Sequence, residues 1–262
     1  MISVGIDAGS ATTKAVLVKD DSSTIYSLRP TAFDFISAAE MAYADVLTIA
    51  GIDRKAVGHV YSTGYGRNSI KFADRAISEI TAHAKGVHHL YPDVKGIIDI
   101  GGQDSKIISV NNGKVTDFLM NDKCAAGTGK FLEYTARALE VSIEELGSLA
   151  VASKNPAGIT SMCTVFAESE VISLRARGFT KEDIAAGLIE SIARRVAVMT
   201  RQLGLKQNVA FVGGVAKNTG IKAALEKELG ISLYVPPEPQ ITGALGAALY
   251  GRDLTSSCNF EK

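Results

Sequence analysis

Apolar residues along the chain gather into short runs that are typical of buried strands, separated by polar and glycine-rich turns. Two such runs flank a small polar turn in residues 2–18, and this arrangement predicts an antiparallel hairpin. Apolar residues then recur at helical spacing over residues 34–50, with Asp34 placed to cap the helix and Gly51 placed to end it. A further strand over 57–62 and a helix over 77–87 are predicted next.

The pattern of the opening hairpin returns near residue 99. A strand over 95–100 runs into a glycine turn, and strands over 107–110 and 115–120 follow it. The two turns align as Asp7-x-Gly9-Ser10-x-x-x-Lys14 and Asp99-x-Gly101-Gly102-x-x-x-Lys106, with the Asp, the first Gly and the Lys at identical offsets. This internal repeat predicts two related halves.

The chain after residue 124 changes to a mainly helical pattern, so the fold class is α/β. We expect a first half over 1–95, to which a helix near 243–250 returns, a second half over 96–250 and a tail over 251–262. The remaining predicted elements are helices over 127–140, 142–150, 164–176, 180–203 and 219–229, and strands over 209–212 and 232–235.

Composition narrows the class of protein. The 262 residues include 28 Lys+Arg and 28 Asp+Glu, and 46% are hydrophobic, which is typical of a folded, soluble chain without the basic face that a nucleic-acid binder uses. No apolar run approaches the roughly 18 residues that span a bilayer. We therefore expect neither nucleic acid nor membrane as a partner. Three widely spaced cysteines, Cys124, Cys163 and Cys258, indicate a reducing compartment rather than a disulfide framework.

The repeated turns carry the first candidate chemistry. A strand that runs into a Gly/Ser/Thr turn presents backbone N–H groups to phosphate oxygens, and Asp7, Asp99 and Asp104 are hard oxygen donors suited to Mg²⁺. Any of these carboxylates, or Gln103, is a candidate to orient a water molecule that attacks a bound phosphate chain. The candidate nucleotide contacts are Gly9, Ser10, Ala11, Thr12, Thr13, Lys14, Gly101, Gly102, Gln103, Gly213, Gly214, Val215, Asn218 and Gln240.

Cys124 and Cys163 both precede predicted helices, where the partial positive charge of a helix N-terminus stabilises a thiolate. One chain cannot offer four clustered thiolates, whereas a symmetric dimer would bring two pairs together. Four sulfur ligands suit a [4Fe–4S] cluster or tetrahedral zinc. From spacing alone, two inert buried cysteines remain the favoured alternative.

The quoted motifs resemble those of the superfamily of acetate and sugar kinases, heat-shock chaperones and actin. Residues 6–14 and 97–106 are similar to its two phosphate motifs, 211–218 to its adenosine motif, and 242–249 to its second connecting helix. The resemblance implies the actin-like ATPase fold, with two ribonuclease-H-like subdomains and ATP in a cleft between them.

A more specific resemblance is to the ATP-dependent activators of 2-hydroxyacyl-CoA dehydratases, and it lies in residues 63–68, 121–130 and 163–171. Related proteins are the ATPase subunits of benzoyl-CoA reductases and the reductases of double-cubane-cluster proteins. The resemblance implies a homodimer bridged by one [4Fe–4S] cluster, with Cys124 and Cys163 as ligands and Cys258 outside the motif. It also implies ATP with Mg²⁺, an electron from ferredoxin or flavodoxin, transfer to a partner iron–sulfur enzyme, and the cytoplasm of an anaerobe.

Two other functions stay open on the residues. One is a small-molecule kinase of the same superfamily, and the other is a nucleotide-switched interaction protein whose dimer is held by zinc. His83, His88 and His89 lie close together in sequence but lack the spacing of a helical metal motif, so we interpret them as polar or interface residues.

Overall fold

The computed structural model describes residues 1–21, 23–121, 124–159 and 164–258. These residues divide into two compact units, the first made of Met1–Val94, Val110–Thr116 and Gln240–Lys262, and the second of Lys95–Ser109 and Asp117–Pro239. None of the helices in the described ranges is both long and apolar enough to cross a membrane.

The first unit is built on a five-stranded sheet in the order β3-β2-β1-β4-β5. The predicted opening hairpin is confirmed, since β1 and β2 pair antiparallel with Asp7 opposite Lys14. β4 runs parallel to β1, so the carboxyl ends of these two strands meet at one edge of the sheet. The strands are β1 (Ile2–Ala8), β2 (Thr12–Val18), β3 (Thr24–Pro30), β4 (Val57–Thr63) and β5 (Arg75–Ala76).

Helix α1 (Phe35–Ala50) covers one face of this sheet. It begins where predicted because the Asp34 carboxylate accepts a hydrogen bond from the amide of Ile36, and it ends where predicted because Gly51 takes the left-handed conformation at φ 65°. β3 was not predicted from the pattern. It is an edge strand whose residues are mostly partly exposed, so it lacks an apolar run.

The other face of the sheet is covered by α8 (Thr242–Cys258), which also packs on α2 (Glu79–Leu90). The small residues of α8 allow a very close approach, since a Cβ added to Gly5 of β1 would lie 2.0 Å from the carbonyl oxygen of Ala244. The helix continues to Cys258 through the stretch that the sequence pattern marks as a tail.

The second sheet repeats the same topology, in the order β8-β7-β6-β9-β10. β7 pairs antiparallel with β6, and β9 pairs parallel with β6. Asp99 of β6 faces Lys106 of β7, as Asp7 faces Lys14 in the first unit. The strands are β6 (Gly96–Ile100), β7 (Ser105–Asn111), β8 (Lys114–Asn121), β9 (Val209–Val212) and β10 (Leu233–Tyr234).

Among the described residues, five helices pack with this second sheet around the larger apolar core, which includes Phe131, Phe211 and Ile98, Ile100 and Ile107 of β6 and β7. Their starts and ends lie close to the predicted ones. The helices are α3 (Gly129–Leu139), α4 (Ile143–Ala152), α5 (Thr164–Ala176), α6 (Lys181–Gln202) and α7 (Thr219–Leu229).

Candidate nucleotide-binding turns and the Cys124 loop

The first turn joins β1 to β2 and is anchored by a buried ion pair. Lys14 Nζ lies 3.0 Å from Asp7 Oδ2, and the two residues are 9% and 7% exposed. A buried charge is tolerated when it is paired and hydrogen-bonded, and Asp7 and Lys14 satisfy each other in this way. The turn therefore presents a neutralised carboxylate rather than a bare one.

Thr31 holds the backbone of this turn. Its hydroxyl donates to the carbonyl oxygen of Gly9 at 2.7 Å, and its amide donates to the carbonyl oxygen of Ala11 at 3.0 Å. Gln240, from the start of the last segment, places its Nε2 3.4 Å from the hydroxyl oxygen of Thr12. Gln240 is among the predicted nucleotide contacts, whereas Thr31 is not, because it follows a strand that the apolar pattern does not predict.

The second turn joins β6 to β7 and has one lysine for two carboxylates. Lys106 Nζ lies 3.4 Å from Asp99 Oδ2 and 2.8 Å from Asp104 Oδ1, and the lysine is 3% exposed. The turn closes through a hydrogen bond from the amide of Gly101 to the carbonyl oxygen of Asp104. Gln103 lies exposed at its tip.

A left-handed glycine lies against each aspartate. Gly64 follows β4 with φ 90°, and a Cβ there would lie 2.4 Å from Asp7 Oδ1. Gly213 follows β9 with φ 86°, and a Cβ there would lie 2.6 Å from Asp99 Oδ1. Both positions need glycine for conformation and for space. Gly213, which is a predicted nucleotide contact, thus corresponds to Gly64 and lies beside the aspartate of its own unit.

The residues after Gly213 form a short 3₁₀ turn over Gly214–Lys217, followed by α7. The side chain of Asn218 is engaged within the fold, because its Oδ1 accepts from the amide of Ile221 and its Nδ2 donates to the carbonyl oxygen of Ile143. Asn218 therefore caps α7 and ties it to the start of α4. Its predicted contact with a nucleotide stays a prediction.

Mg²⁺ fits the chemistry of the first turn. Asp7 Oδ2 is engaged by Lys14, whereas Oδ1 is bordered by Gly64 and Gly9, which present no side chain to it. A hard carboxylate oxygen in a cradle of this kind suits Mg²⁺, which binds through one or two carboxylates, phosphate oxygens and water. Within the described ranges, no three His, Cys, Asp or Glu side chains cluster as a metal site.

The half-buried Cys124 begins the Cys124 loop, Cys124–Thr128, whose backbone is held by side-chain hydrogen bonds. Asn121 Nδ2 donates to the carbonyl oxygens of Cys124 and Ala126 at 2.9 and 3.0 Å, and the Thr128 hydroxyl donates to that of Ala125 at 2.6 Å. These bonds fix the backbone that carries the thiol, which is the kind of support that a metal ligand needs.

The Cys124 thiol is predicted to lie at a helix N-terminus, whereas α3 begins only at Gly129. The N-cap of α3 is Thr128, and the first two helical amides, of Gly129 and Lys130, donate to the carbonyl oxygens of Gly101 and Gly102 at 2.9 and 2.8 Å. The start of α3 thus binds the second turn. The same bonds connect the Cys124 loop to that turn.

The other cysteines lie at the limits of the described structure. Cys163 lies outside the described residues, and α5 is described from the next residue, Thr164. Cys258 is the last residue of α8.

Comparison with known proteins identifies relatives along nearly the whole chain. The chain is 44% identical to the 2-hydroxyisocaproyl-CoA dehydratase activator of Clostridioides difficile, over 97% of its own length and 96% of the relative. Its structure is similar to component A of (R)-2-hydroxyglutaryl-CoA dehydratase from Acidaminococcus fermentans, with a TM-score of 0.94, 42% identity and 98% and 99% of the two chains covered.

A second solved structure, the activator of 2-hydroxyisocaproyl-CoA dehydratase from Clostridium difficile with bound ADPNP, is similar with a TM-score of 0.93 and 42% identity, covering 100% of this chain and 98% of that one. The fold is thus the α/β actin-like ATPase fold with two sheets, as predicted. The sequence model of the BadF/BadG/BcrA/BcrD ATPase family matches residues 4–251 of this chain. With more than nine-tenths of its length matched in this way, the chain belongs to the BadF/BadG/BcrA/BcrD ATPase family.

Proposed function

We propose that this protein is an ATP-hydrolysing activator that passes one low-potential electron to a partner iron–sulfur enzyme of the 2-hydroxyacyl-CoA dehydratase class. The observation that carries the proposal is the 44% identity to a dehydratase activator over nearly the full length of both chains. A double-cubane-cluster protein is the alternative partner. The proposed electron donor is a ferredoxin or flavodoxin, and the proposed location is the cytoplasm of an anaerobe.

ATP with Mg²⁺ is the proposed ligand of the two repeated turns. In each turn an aspartate is held by a buried lysine and bordered by a left-handed glycine, which leaves small, polar backbone to meet phosphate oxygens. Asp7, Asp99, Asp104 and Gln103 are the proposed catalytic groups. That both turns bind one nucleotide, in a cleft between the halves, is part of the proposal.

Cys124 and Cys163 are the proposed ligands of a [4Fe–4S] cluster that two copies of the chain share. When bound, the cluster would supply the one-electron redox centre, whose potential depends on hydrogen bonding and exposure. The hydrogen-bonded backbone of the Cys124 loop fits the role of a ligand. Cys124 is only half-buried, so a second chain can reach it.

The hydrogen bonds from the start of α3 to the second turn are the proposed route of coupling. A shift of the Gly101 and Gly102 carbonyls on nucleotide binding would move the first turn of α3, and the Cys124 loop is bonded to that same turn through Thr128. Such coupling requires that the nucleotide binds the shifted and the unshifted arrangement of the second turn and α3 with different affinity.

Purification without oxygen tests the proposal. We expect a brown homodimer with about two irons per chain, since four thiolates bind one [4Fe–4S] cluster. Cys124→Ser and Cys163→Ser each lose the iron and its visible absorbance, whereas the control Cys258→Ser keeps both. ATP hydrolysis and electron delivery to a dehydratase are measured on the same samples.

A colourless protein that carries zinc would overturn the electron-transfer role in favour of the zinc-bridged alternative. Phosphorylation of a small alcohol or carboxylate by a protein in which both cysteines are dispensable would favour the kinase.

A further inference from the structure

Thr63, the last residue of β4, carries a buried hydroxyl that the fold leaves unused. The residue is 0% exposed, and its Oγ1 has no hydrogen-bond partner among the residues that the structure describes. Such a group is uncommon in a native protein because a buried hydroxyl without a partner lowers stability. A ligand that supplies the missing partner would explain it.

The position of Thr63 identifies which ligand it faces. Thr63 is the register partner of Asp7 on the parallel neighbour strand, and neighbouring residues in such a pair point to the same face of the sheet. This is the face covered by α8, where a Cβ added to Gly243 would lie 3.5 Å from Asp7 Oδ2. The side chain of Thr63 therefore projects from the same face of the sheet as the carboxylate of the first turn, on the neighbouring strand.

The second unit serves as an internal control. There Asp99 has Val212 as its register partner, and Gly213 follows it just as Gly64 follows Thr63. Val212 is also fully buried, and valine has nearly the shape of threonine with a methyl in place of the hydroxyl. The repeated fold thus accepts a methyl at this position, so its packing does not require the hydroxyl of Thr63.

We propose that Thr63 is a positioning residue that holds a water molecule of the Mg²⁺ hydration shell beside Asp7. Mg²⁺ keeps several of its waters when it binds a nucleotide, and each of these waters donates hydrogen bonds to nearby acceptor oxygens, a role that the Thr63 Oγ1 can fill. The proposal rests on the proposed binding of ATP with Mg²⁺. It assigns the metal to the first half of the repeat, where the hydroxyl is, and not to the second half, where valine replaces it.

Thr63→Val, the substitution that copies the second half, tests this role by calorimetry of ADP binding with Mg²⁺ and with EDTA. We expect ADP affinity in Mg²⁺ to fall about tenfold, as for loss of one hydrogen bond in a charged site, and affinity in EDTA to stay unchanged. Thr63→Ser keeps the hydroxyl and should restore Mg²⁺-dependent binding. The nucleotide-free Thr63→Val protein should melt about 2–4 °C higher than wild type, because the unpaired hydroxyl is gone.

Thr200→Val is the matched control. Thr200 is equally buried, but its hydroxyl donates to the carbonyl oxygen of Val196 at 2.8 Å, so the variant should leave ADP binding unchanged in both conditions. Wild-type affinity of Thr63→Val in Mg²⁺, an equal loss in EDTA, or failure of Thr63→Val to fold would each overturn the role of Thr63. A wild-type protein that binds no ADP would instead overturn the proposed function, and the inference with it.

Discussion

Lys14 and Lys106 are the charged residues on which the two candidate turns depend. Each is buried against the aspartate opposite it in the hairpin, but Lys106 also neutralises Asp104. Removing one partner of a buried ion pair leaves an uncompensated charge, which destabilises a protein more than the pair itself stabilises it. The two halves of the repeat therefore differ in how much charge one lysine balances.

We expect Lys106→Met to lower the free energy of unfolding by about 3–5 kcal/mol, and Lys14→Met to lower it by less, since Lys106 balances the charge of two carboxylates and Lys14 that of one. Urea unfolding in EDTA without nucleotide measures both. Equal losses for the two variants would contradict the assignment of Asp104 to the charge balance of the second turn.

Gln103 is the exposed candidate at the tip of the second turn. If it orients the attacking water, Gln103→Ala should lower kcat for ATP hydrolysis on the order of 100-fold with little change in nucleotide affinity. Gln202→Ala, an exposed glutamine at the end of α6, is the control and should hydrolyse ATP at the wild-type rate. Unchanged turnover in Gln103→Ala would remove Gln103 from the candidate catalytic groups.

The two matching turns could be predicted, because Asp, Gly and Lys recur at fixed offsets in both, while their chemistry stays a prediction. Thr31 and Thr63 could not, since each reaches its turn through strand pairing between distant segments and has no counterpart of the same residue type in the other half. Asn218 has a role that the motif does not predict, because its side chain caps α7, while its predicted contact with a nucleotide stays a prediction.

At the scale of elements, the contact between α8 and α2 depends on glycines without room for a side chain. A Cβ on Gly246 would lie 1.8 Å from the carbonyl oxygen of Ala82, and one on Gly86 would lie 2.1 Å from that of Thr242. The two helices therefore meet through backbone, and neither can gain a methyl without moving the other.

Gly246→Ala separates this packing from helix propensity. Propensity alone predicts a gain of about 1 kcal/mol from alanine in a helix, whereas the overlap with Ala82 predicts a loss of about 1–3 kcal/mol or more. Gly158→Ala, where an added Cβ meets nothing within 4 Å, should be nearly neutral. Thermal unfolding compares the two, and a stabilised Gly246→Ala would show that α8 is free to shift.

The start of α4 should respond to acid. Ser142 and Glu145 form a capping box, and the hydrogen bond from the Ser142 amide, followed by that from its hydroxyl, holds the pKa of Glu145 below its ordinary value of 4.5. A lowered folded-state pKa stabilises the helix start fully above pH 4.5, and the stabilisation is lost as the pH falls through the folded-state value.

We expect protection of the Ser142 amide from hydrogen exchange to fall in that acidic range for wild type. Glu145→Gln keeps the cap without a titrating group, so its Ser142 amide should show no such step. A step of the same size in both proteins would mean that another group titrates at the start of α4.

Elements were predictable where local signals agree. α1 has a capping aspartate, a regular apolar face and a terminating glycine, and it lies where predicted. β3 has none of these signals, since its order comes from pairing with β2. The length of α8 was underestimated because polar residues after Leu249 end the apolar pattern but not the helix.

At the scale of the whole molecule, the first unit depends on a segment from the far end of the chain. α8 packs Ala244, Leu245, Ala248 and Leu249 against Val16 and Val18 of β2, all of which are fully or almost fully buried. A chain that stops after Pro239 lacks this cover, and its first sheet would expose one apolar face to water.

We expect that truncated chain to lose hydrogen-exchange protection in β1 and β2 while the second unit keeps its protection in β6 and β9. A chain that stops after Asp253 keeps the four apolar residues of α8 and should stay protected in both units. Protected β1 and β2 in the shorter chain would show that the first sheet is stable without α8.

The order in which the first unit collects its segments bears on how the protein is made in the cell. Synthesis runs from the N-terminus, so β1 to β5 emerge from the ribosome early but wait for Gln240 and the residues after it. The second unit, complete at Pro239, has all its segments before the first unit does. The half of the molecule that is translated first is therefore finished last, and its apolar sheet face stays open to chaperones throughout translation of the other half.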